Sequence, residues 1–207
     1  MLSPPMKTKR STTSAATPGS VRIIAGEWRG RKLAVPDLPG LRPTPDRVRE
    51  TLFNWLMPVS EGARCLDLFA GTGALGLEAA SRGAAEVVLV ERDRGAAAAL
   101  RGHVTRLGAG QVRVECADAL QWLDQPATSR FDVVFLDPPY GADLLAPAWR
   151  RLRDGGWLAP QAYVYAEWPA GQPSPIDLPP WRSGRAGQVA HALYRCLPAT
   201  VPTGAGA

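Results

Sequence analysis

The stretch Phe131-Asp132-Val133-Val134-Phe135-Leu136-Asp137-Pro138-Pro139-Tyr140 carries the most specific chemistry in the chain. An apolar run that ends in an acid delivers a carboxylate to one place, and two prolines then stiffen the backbone beyond it. Such a turn suits a poor nucleophile. The exocyclic amine of a nucleobase has its lone pair delocalised into the ring. Two acceptors fixed against its N–H groups favour a pyramidal, more nucleophilic nitrogen. The Asp137 carboxylate and the Pro138 carbonyl can be those acceptors, because proline lacks an N–H but keeps its C=O. Pro139 completes the stiff turn, and Tyr140 can stack on the base plane, a contact worth about 1–3 kcal/mol. The chemistry indicated is transfer of a methyl group by in-line displacement, assisted mainly by positioning. The plainer alternative is a strand-ending turn with an aromatic plug.

A second segment, Leu66-Asp67-Leu68-Phe69-Ala70-Gly71-Thr72-Gly73-Ala74-Leu75-Gly76, reads as the joint between a strand and a helix. Gly71 and Gly73 allow a tight turn and close approach of a ligand to the backbone. A glycine loop suggests a dinucleotide, but Asp67 just upstream is poorly placed for a pyrophosphate and well placed for a cation. S-adenosylmethionine carries an ammonium and a sulfonium and no phosphate, so it is favoured over NAD. Glu91, about 20 residues past the loop, either accepts hydrogen bonds from ribose hydroxyls or is a helix-start charge. Asp118, followed by Ala119, either accepts an adenine amino group or caps the next helix. Phe69 and Ala119 are grouped with these residues as cofactor contacts.

These residues need a sheet to position them. Short apolar strands are expected at 64–69, 86–91, 111–116 and 131–136, with helices at 74–81, 94–107 and 119–123 between them. The acids then fall at C-terminal strand ends, where open α/β sheets bind ligands. Pro147 opens a further helix that ends before Gly155-Gly156. A strand at 163–167, a Pro-rich link at 169–180 and a hairpin of 181–185 with 188–197 follow. Ahead of the sheet, strands at 21–25 and 31–35 flank the turn 26–30. Thr44 and Pro45 then start a helix that Pro58 stops at about Met57. Val48, Leu52, Trp55 and Leu56 form its apolar face, leaving Arg47, Arg49, Glu50 and Asn54 on the others. The fold class is α/β, an open doubly wound sheet with an antiparallel edge and an N-terminal hairpin-helix extension. The expected division is a disordered tail at 1–20, the basic extension at 21–58, the catalytic domain at 59–197 and a second tail at 198–207.

Charge separates the two structured parts. Residues 1–50 hold ten Lys and Arg against four Asp and Glu, and the rest of the chain is near neutral, within a net charge of +5. A basic segment beside a neutral body suggests a polyanionic partner held at one end, or else a merely solvated arm. No apolar run is long enough to span a bilayer. Cys65, Cys116 and Cys196 are an odd number without CxxC spacing, expected as buried core residues in a reducing, cytoplasmic setting. His103 and His191 lack metal-ligand spacing and read as surface or packing residues, so no metal site is expected.

Asp-Pro-Pro-Tyr at 137–140, with Asp-Leu-Phe-Ala-Gly-Thr-Gly at 67–73, resembles the amino-methyltransferases that act on adenine N6, cytosine N4 or guanine N2. The blocks 22–33 and 41–56, with Gly187-Gln188-Val189-Ala190, closely resemble the bacterial small-subunit rRNA guanine-N2 methyltransferases of the RsmD type. The resemblance covers about residues 21–197. It implies a seven-stranded Rossmann-like methyltransferase sheet, S-adenosyl-L-methionine as cofactor, and methylation of N2 of guanine 966 of 16S rRNA by a monomer. The substrate would be an assembled or assembling small ribosomal subunit. Carried over by motif, Asp67, Phe69, Gly71, Gly73, Glu91, Asp118 and Ala119 would bind cofactor, and Asp137, Pro138, Pro139 and Tyr140 would hold the base. Some relatives have Phe where this chain has Tyr140. Arg22, Arg29, Arg31, Lys32, Arg42, Arg47 and Arg49 would contact RNA. Two other readings are a DNA adenine-N6 methyltransferase and a catalytically silent rRNA-binding assembly factor. The first usually carries a separate target-recognition domain, for which this chain has no room.

Overall fold

The structure is a computed structural model that describes residues 19–35, 46–139 and 141–197. The expected first tail reaches residue 20, but Gly19 and Ser20 are described and Ser20 begins the first strand; the rest of the two tails, the Thr44-Pro45 helix start, Arg42 and Tyr140 lie outside those residues. Val21 and Leu33 pair across two short antiparallel strands, β1 (Ser20–Arg22) and β2 (Lys32–Ala34), each shorter than expected. Helix α1 (Asp46–Ser60) follows and continues through Pro58. A proline in the last turn displaces only the carbonyl four residues back, on Asn54, and both residues are exposed, so water can satisfy that group. Its buried face also differs from expectation. Phe53 and Arg49 are fully buried beside Val48, Leu52 and Leu56, whereas Trp55 is only half-buried.

The remaining elements alternate. They are β3 (Arg64–Asp67), α2 (Gly76–Ser81), β4 (Glu86–Glu91), α3 (Arg94–Leu107), β5 (Val112–Cys116), α4 (Ala119–Leu123), β6 (Phe131–Leu136), α5 (Leu145–Asp154) and β7 (Leu158–Pro169), then β8 (Pro180–Ala186) and β9 (Val189–Arg195). Among the described residues they form one seven-stranded sheet in the order β5-β4-β3-β6-β7-β9-β8. β5 to β7 are parallel, and β9 and β8 form the antiparallel edge. Strand β7 begins earlier than expected because the chain around Pro160 joins it through a register irregularity opposite Phe131 and Val133. A proline there reads in sequence as a break.

Period-two alternation sends side chains to two cores. Val87 and Leu89 of β4 pack with Leu52, Phe53 and Leu56 of α1, Leu77 of α2 and Leu100 of α3. Val88 and Val90 face the other side, with Trp122 of α4 and Trp149 and Leu152 of α5. There Trp122 stacks on Trp157 at 4.4 Å between ring centroids. Burial of Cys65 pushes its thiol up to about 12, but Cys116 is exposed at the end of β5, against expectation. β5 is the edge strand of the sheet, so its last residue has a neighbouring strand on one side only. His103 and His191 are both buried packing residues.

The N-terminal extension is pinned to α2 by hydrogen bonds. Buried Glu78 accepts from Ile24 N at 2.7 Å, Ala25 N at 3.0 Å and Arg82 Nε at 2.8 Å. Ser81 Oγ accepts from Trp28 N at 3.0 Å and donates to the Ala25 carbonyl at 2.6 Å. Gly26 has a φ of +82°, and a Cβ there would stand 1.8 Å from the Ser81 carbonyl oxygen. Only glycine lets these two backbones approach so closely. Val21, Ile23, Trp28, Leu33 and the α1 leucines share one core with the sheet, so no separate core marks the boundary expected at 58.

Candidate active site

Strand order decides where the site lies. From β3 the chain moves outward to β4 and β5, then crosses back to place β6 on the other side of β3. The connections on either side of β3 therefore leave in opposite directions, and a crevice opens at the C-terminal ends of β3 and β6. Asp67 ends β3, and Asp137 follows the last residue of β6. The structure thus brings the two most specific sequence segments to one crevice.

Two acids fix the glycine loop between β3 and α2. Asp67 Oδ2 accepts from Gly76 N at 2.9 Å, and Glu91 Oε2 accepts from Gly71 N at 2.8 Å. Glu91 Oε1 also accepts from Asp93 N at 2.7 Å, while Asp93 itself caps α3. Glu91 therefore ties the glycine loop to the start of α3 through both of its oxygens. Gly71 and Gly73 have φ of +50° and +77°. A Cβ on Gly73 would meet Leu100 Cδ2 at 2.6 Å and Leu77 Cδ1 at 2.8 Å, so its missing side chain makes room for two core leucines. Phe69 is half-buried against the second core. Asp118 Oδ1 caps α4, accepting from Leu120 N at 3.0 Å and Gln121 N at 3.1 Å, and Ala119 behind it is buried. The capping alternative is thus realised by one of its oxygens.

Asp67 is only 2% exposed. Burial pushes its carboxyl up to about 7; the Gly76 and Phe69 N–H groups oppose that shift, and the charges of Asp137 and Glu91 add to it. Among the described residues no arginine or lysine pairs with it. A buried acid that lacks a cation, at the mouth of a crevice, fits a positively charged ligand such as the cofactor's ammonium. Past β6, Asp137 and Pro138 are half-buried and Pro139 is exposed. The Pro139 carbonyl accepts from Ala142 N at 3.3 Å, and Gly141 and Asp143 both take positive φ, +77° and +45°. The turn is thus held in a conformation that non-glycine residues seldom adopt.

One site residue escaped the sequence reading. Glu167, near the end of β7, is buried, and burial and the Asp137 charge push its carboxyl up to about 8. It was legible only as a strand's last charge, because its importance depends on β7 lying beside β6. The extension needs a correction as well. Arg22, Arg29, Arg31, Lys32 and Arg47 are exposed, but Arg49 is 1% exposed and cannot reach a phosphate. Its Nη2 donates to Asp46 Oδ1 at 2.6 Å and to the Arg22 carbonyl at 2.8 Å, and Nη1 lies 3.6 Å from Glu78 Oε2. It neutralises the buried Glu78, a role that helix periodicity alone could not reveal.

Fold and crevice define the class: this is a methyltransferase with a Rossmann-like sheet. The chain belongs to the family described as Conserved hypothetical protein 95, the RsmD family, whose model matches residues 21–195. It is 51% identical over 180 residues to ribosomal RNA small subunit methyltransferase D of Escherichia coli (strain K12), covering 86% of this chain and 90% of that one. The solved structure of yhhF from Escherichia coli matches with a TM-score of 0.80 and 47% identity, over 86% of this chain and 99% of that one. An RNA methyltransferase from Salinibacter ruber, solved in complex with S-adenosyl-L-homocysteine, shares the fold at a TM-score of 0.59 and 22% identity, over 78% of this chain and 97% of that one.

The Asp67 geometry makes a pH-dependent prediction. The folded protein keeps a proton on this carboxyl up to about 7, whereas the unfolded chain loses it near 3.8. The folded state therefore binds more protons across that window, and this group's contribution to stability falls as pH rises through it. Asp67→Asn should raise the thermal midpoint of the cofactor-free protein at pH 8 by several degrees, with the gain vanishing near pH 4. Thermal scans of both proteins across that range check it.

Proposed function

We propose that the protein transfers a methyl group from S-adenosylmethionine to the exocyclic N2 of guanine 966 of 16S rRNA, in the assembled or assembling small ribosomal subunit. The observation that carries this reading is the meeting of Asp67 and the Asp137-Pro138 turn at one crevice of the sheet. The cofactor, when bound, supplies an electrophilic methyl on a sulfonium. Asp67 meets its ammonium group, the glycine loop and Phe69 shape the wall beside it, and Glu91, Asp118 and Ala119 border its nucleoside. Asp137 and the Pro138 carbonyl hold the two N–H groups of the guanine amine, Pro139 keeps the turn stiff, and Tyr140 stacks on the base. As the amine is alkylated positive charge develops on it, and the Asp137 carboxylate lies where it stabilises that charge.

The exposed cations Arg22, Arg29, Arg31, Lys32 and Arg47, with Arg42, grip RNA phosphates, making residues 21–58 the RNA-binding extension and 59–197 the catalytic domain, in a monomer. The turn carrying Arg29 docks at Ser81, the end of α2 away from the glycine loop. Six residues of helix, about 9 Å, separate that turn from the loop. These cations accordingly fit RNA flanking the target rather than the target base.

Labelled cofactor offered with small subunits, naked rRNA and duplex DNA, followed by mass mapping of the product, tests the reading. Methyl on guanine N2 of the subunit is expected, and methylation of duplex adenine alone would reject it. Asp137→Ala should bind cofactor normally yet lose about 10²-fold or more in kcat, as removal of a positioned catalytic group does elsewhere. Neutralising Arg29, Arg31 and Lys32 together should weaken subunit binding and flatten its log–log salt dependence by about 0.7–0.9 per lost phosphate contact, measured by titration at several salt concentrations.

A further inference from the structure

The register of β6 and β7 sets a second acid beside the reaction turn. Leu136 pairs with Ala166, so Asp137, just past β6, lies beside Glu167 of β7, the two parallel strands running about 4.8 Å apart. Glu167 is 8% exposed, and its Oε1 accepts from the Tyr165 hydroxyl at 2.7 Å. Among the described residues no arginine or lysine pairs with it. On β9 its register partner is His191, which burial holds below its usual pKa and so keeps neutral, with the Trp55 ring 5.8 Å from the imidazole. A glutamine would accept the Tyr165 bond equally well, so packing does not require an acid here. Burying a carboxyl beside another without a cation is costly, and such groups mark ligand sites.

The chemistry of the target supplies a use. Beside its exocyclic amine, guanine carries N1–H, a donor, whereas adenine carries a bare N1 lone pair beside N6. We propose that Glu167 is the residue that selects guanine: as a carboxylate it accepts N1–H while Asp137 accepts an N2 hydrogen, and in that form it has no hydrogen to offer the bare N1 of adenine. This rests on the reading of the Asp137-Pro138 turn as the seat of the amine. The empty site keeps a proton on Glu167 up to about 8, so entry of guanine releases that proton to solvent and replaces it with the N1–H donor, whereas below that pH the protonated acid can itself donate to a bare N1; the preference for guanine therefore grows as pH rises through about 8.

The test compares subunit RNA bearing guanine or 2-aminopurine at the target position. 2-Aminopurine keeps the amine but presents a bare N1. At pH 8.5, where most of Glu167 is ionised, wild type should favour guanine by about 10²-fold or more in kcat/KM, in the range that sites built around a substrate N–H achieve. Glu167→Gln, whose amide can donate to a bare N1, should lose at least about 10-fold on guanine and bring the ratio near or below one, with cofactor affinity unchanged. Glu167→Ala, read only for the ratio, should also abolish discrimination. A wild-type ratio near one, or variants that keep the wild-type ratio whatever their overall rate, would overturn the assignment. Wild type that methylates neither guanine nor 2-aminopurine in this RNA would instead sink the proposed function, and this role with it.

Discussion

Carboxyl groups crowd the C-terminal edge of the parallel sheet, and everything around the crevice is arranged to hold them there. Asp67, Glu91, Asp137 and Glu167 leave four adjacent parallel strands at that one edge. The charge of Asp137 is felt by both Asp67 and Glu167, and that of Glu91 by Asp67. Arginines, plentiful elsewhere in the molecule, do not pair with Asp67, Glu91 or Glu167 among the described residues. Backbone N–H groups hold the first two, and a tyrosine hydroxyl holds Glu167. Such a cluster is poorly stable when empty and receptive to a cation and to N–H donors. A sulfonium cofactor with an ammonium tail and a base amine provide both.

The opposite arrangement pins the N-terminal extension. There the buried acid, Glu78, is fully served by two backbone N–H groups, Arg82 and Arg49. Ser81 and the side-chain-free Gly26 bring the two backbones into contact. One acid cluster is thus neutralised and structural, and the other is left unneutralised at the ligand edge. The same contrast sorts the arginines. Arg49 belongs to the structural network, while Arg29, Arg31 and Lys32 stay exposed on a hairpin that this network holds rigidly.

Much of the fold was legible because strand and helix periods were clean. The spans 86–91, 94–107, 119–123 and 131–136 are found where hydrophobic periodicity places them. Asp67 and Asp137 could be named because each sits in a short motif whose residue types have a chemical reason. What escaped depended on contacts between distant parts of the chain. Arg49 reads as a surface cation until Glu78 is seen beneath it. That Gly73 also makes room for Leu77 and Leu100 is seen only in the packing. Glu167 gains its meaning from a strand pairing that sequence spacing does not reveal. Pro58 reads as a stop, but it stands exposed in the last turn and displaces only the carbonyl of the exposed Asn54.

At this crevice a buried acid, without a paired arginine or lysine among the described residues, awaits the cofactor's positive charge. Calorimetric titration of S-adenosylmethionine at pH 6, in buffers of different ionisation enthalpy, measures the protons exchanged on binding. Asp67 holds its proton at that pH in the empty site, so the account predicts release of most of one proton per site, lost in Asp67→Asn. Binding with no proton release from the wild type would contradict it.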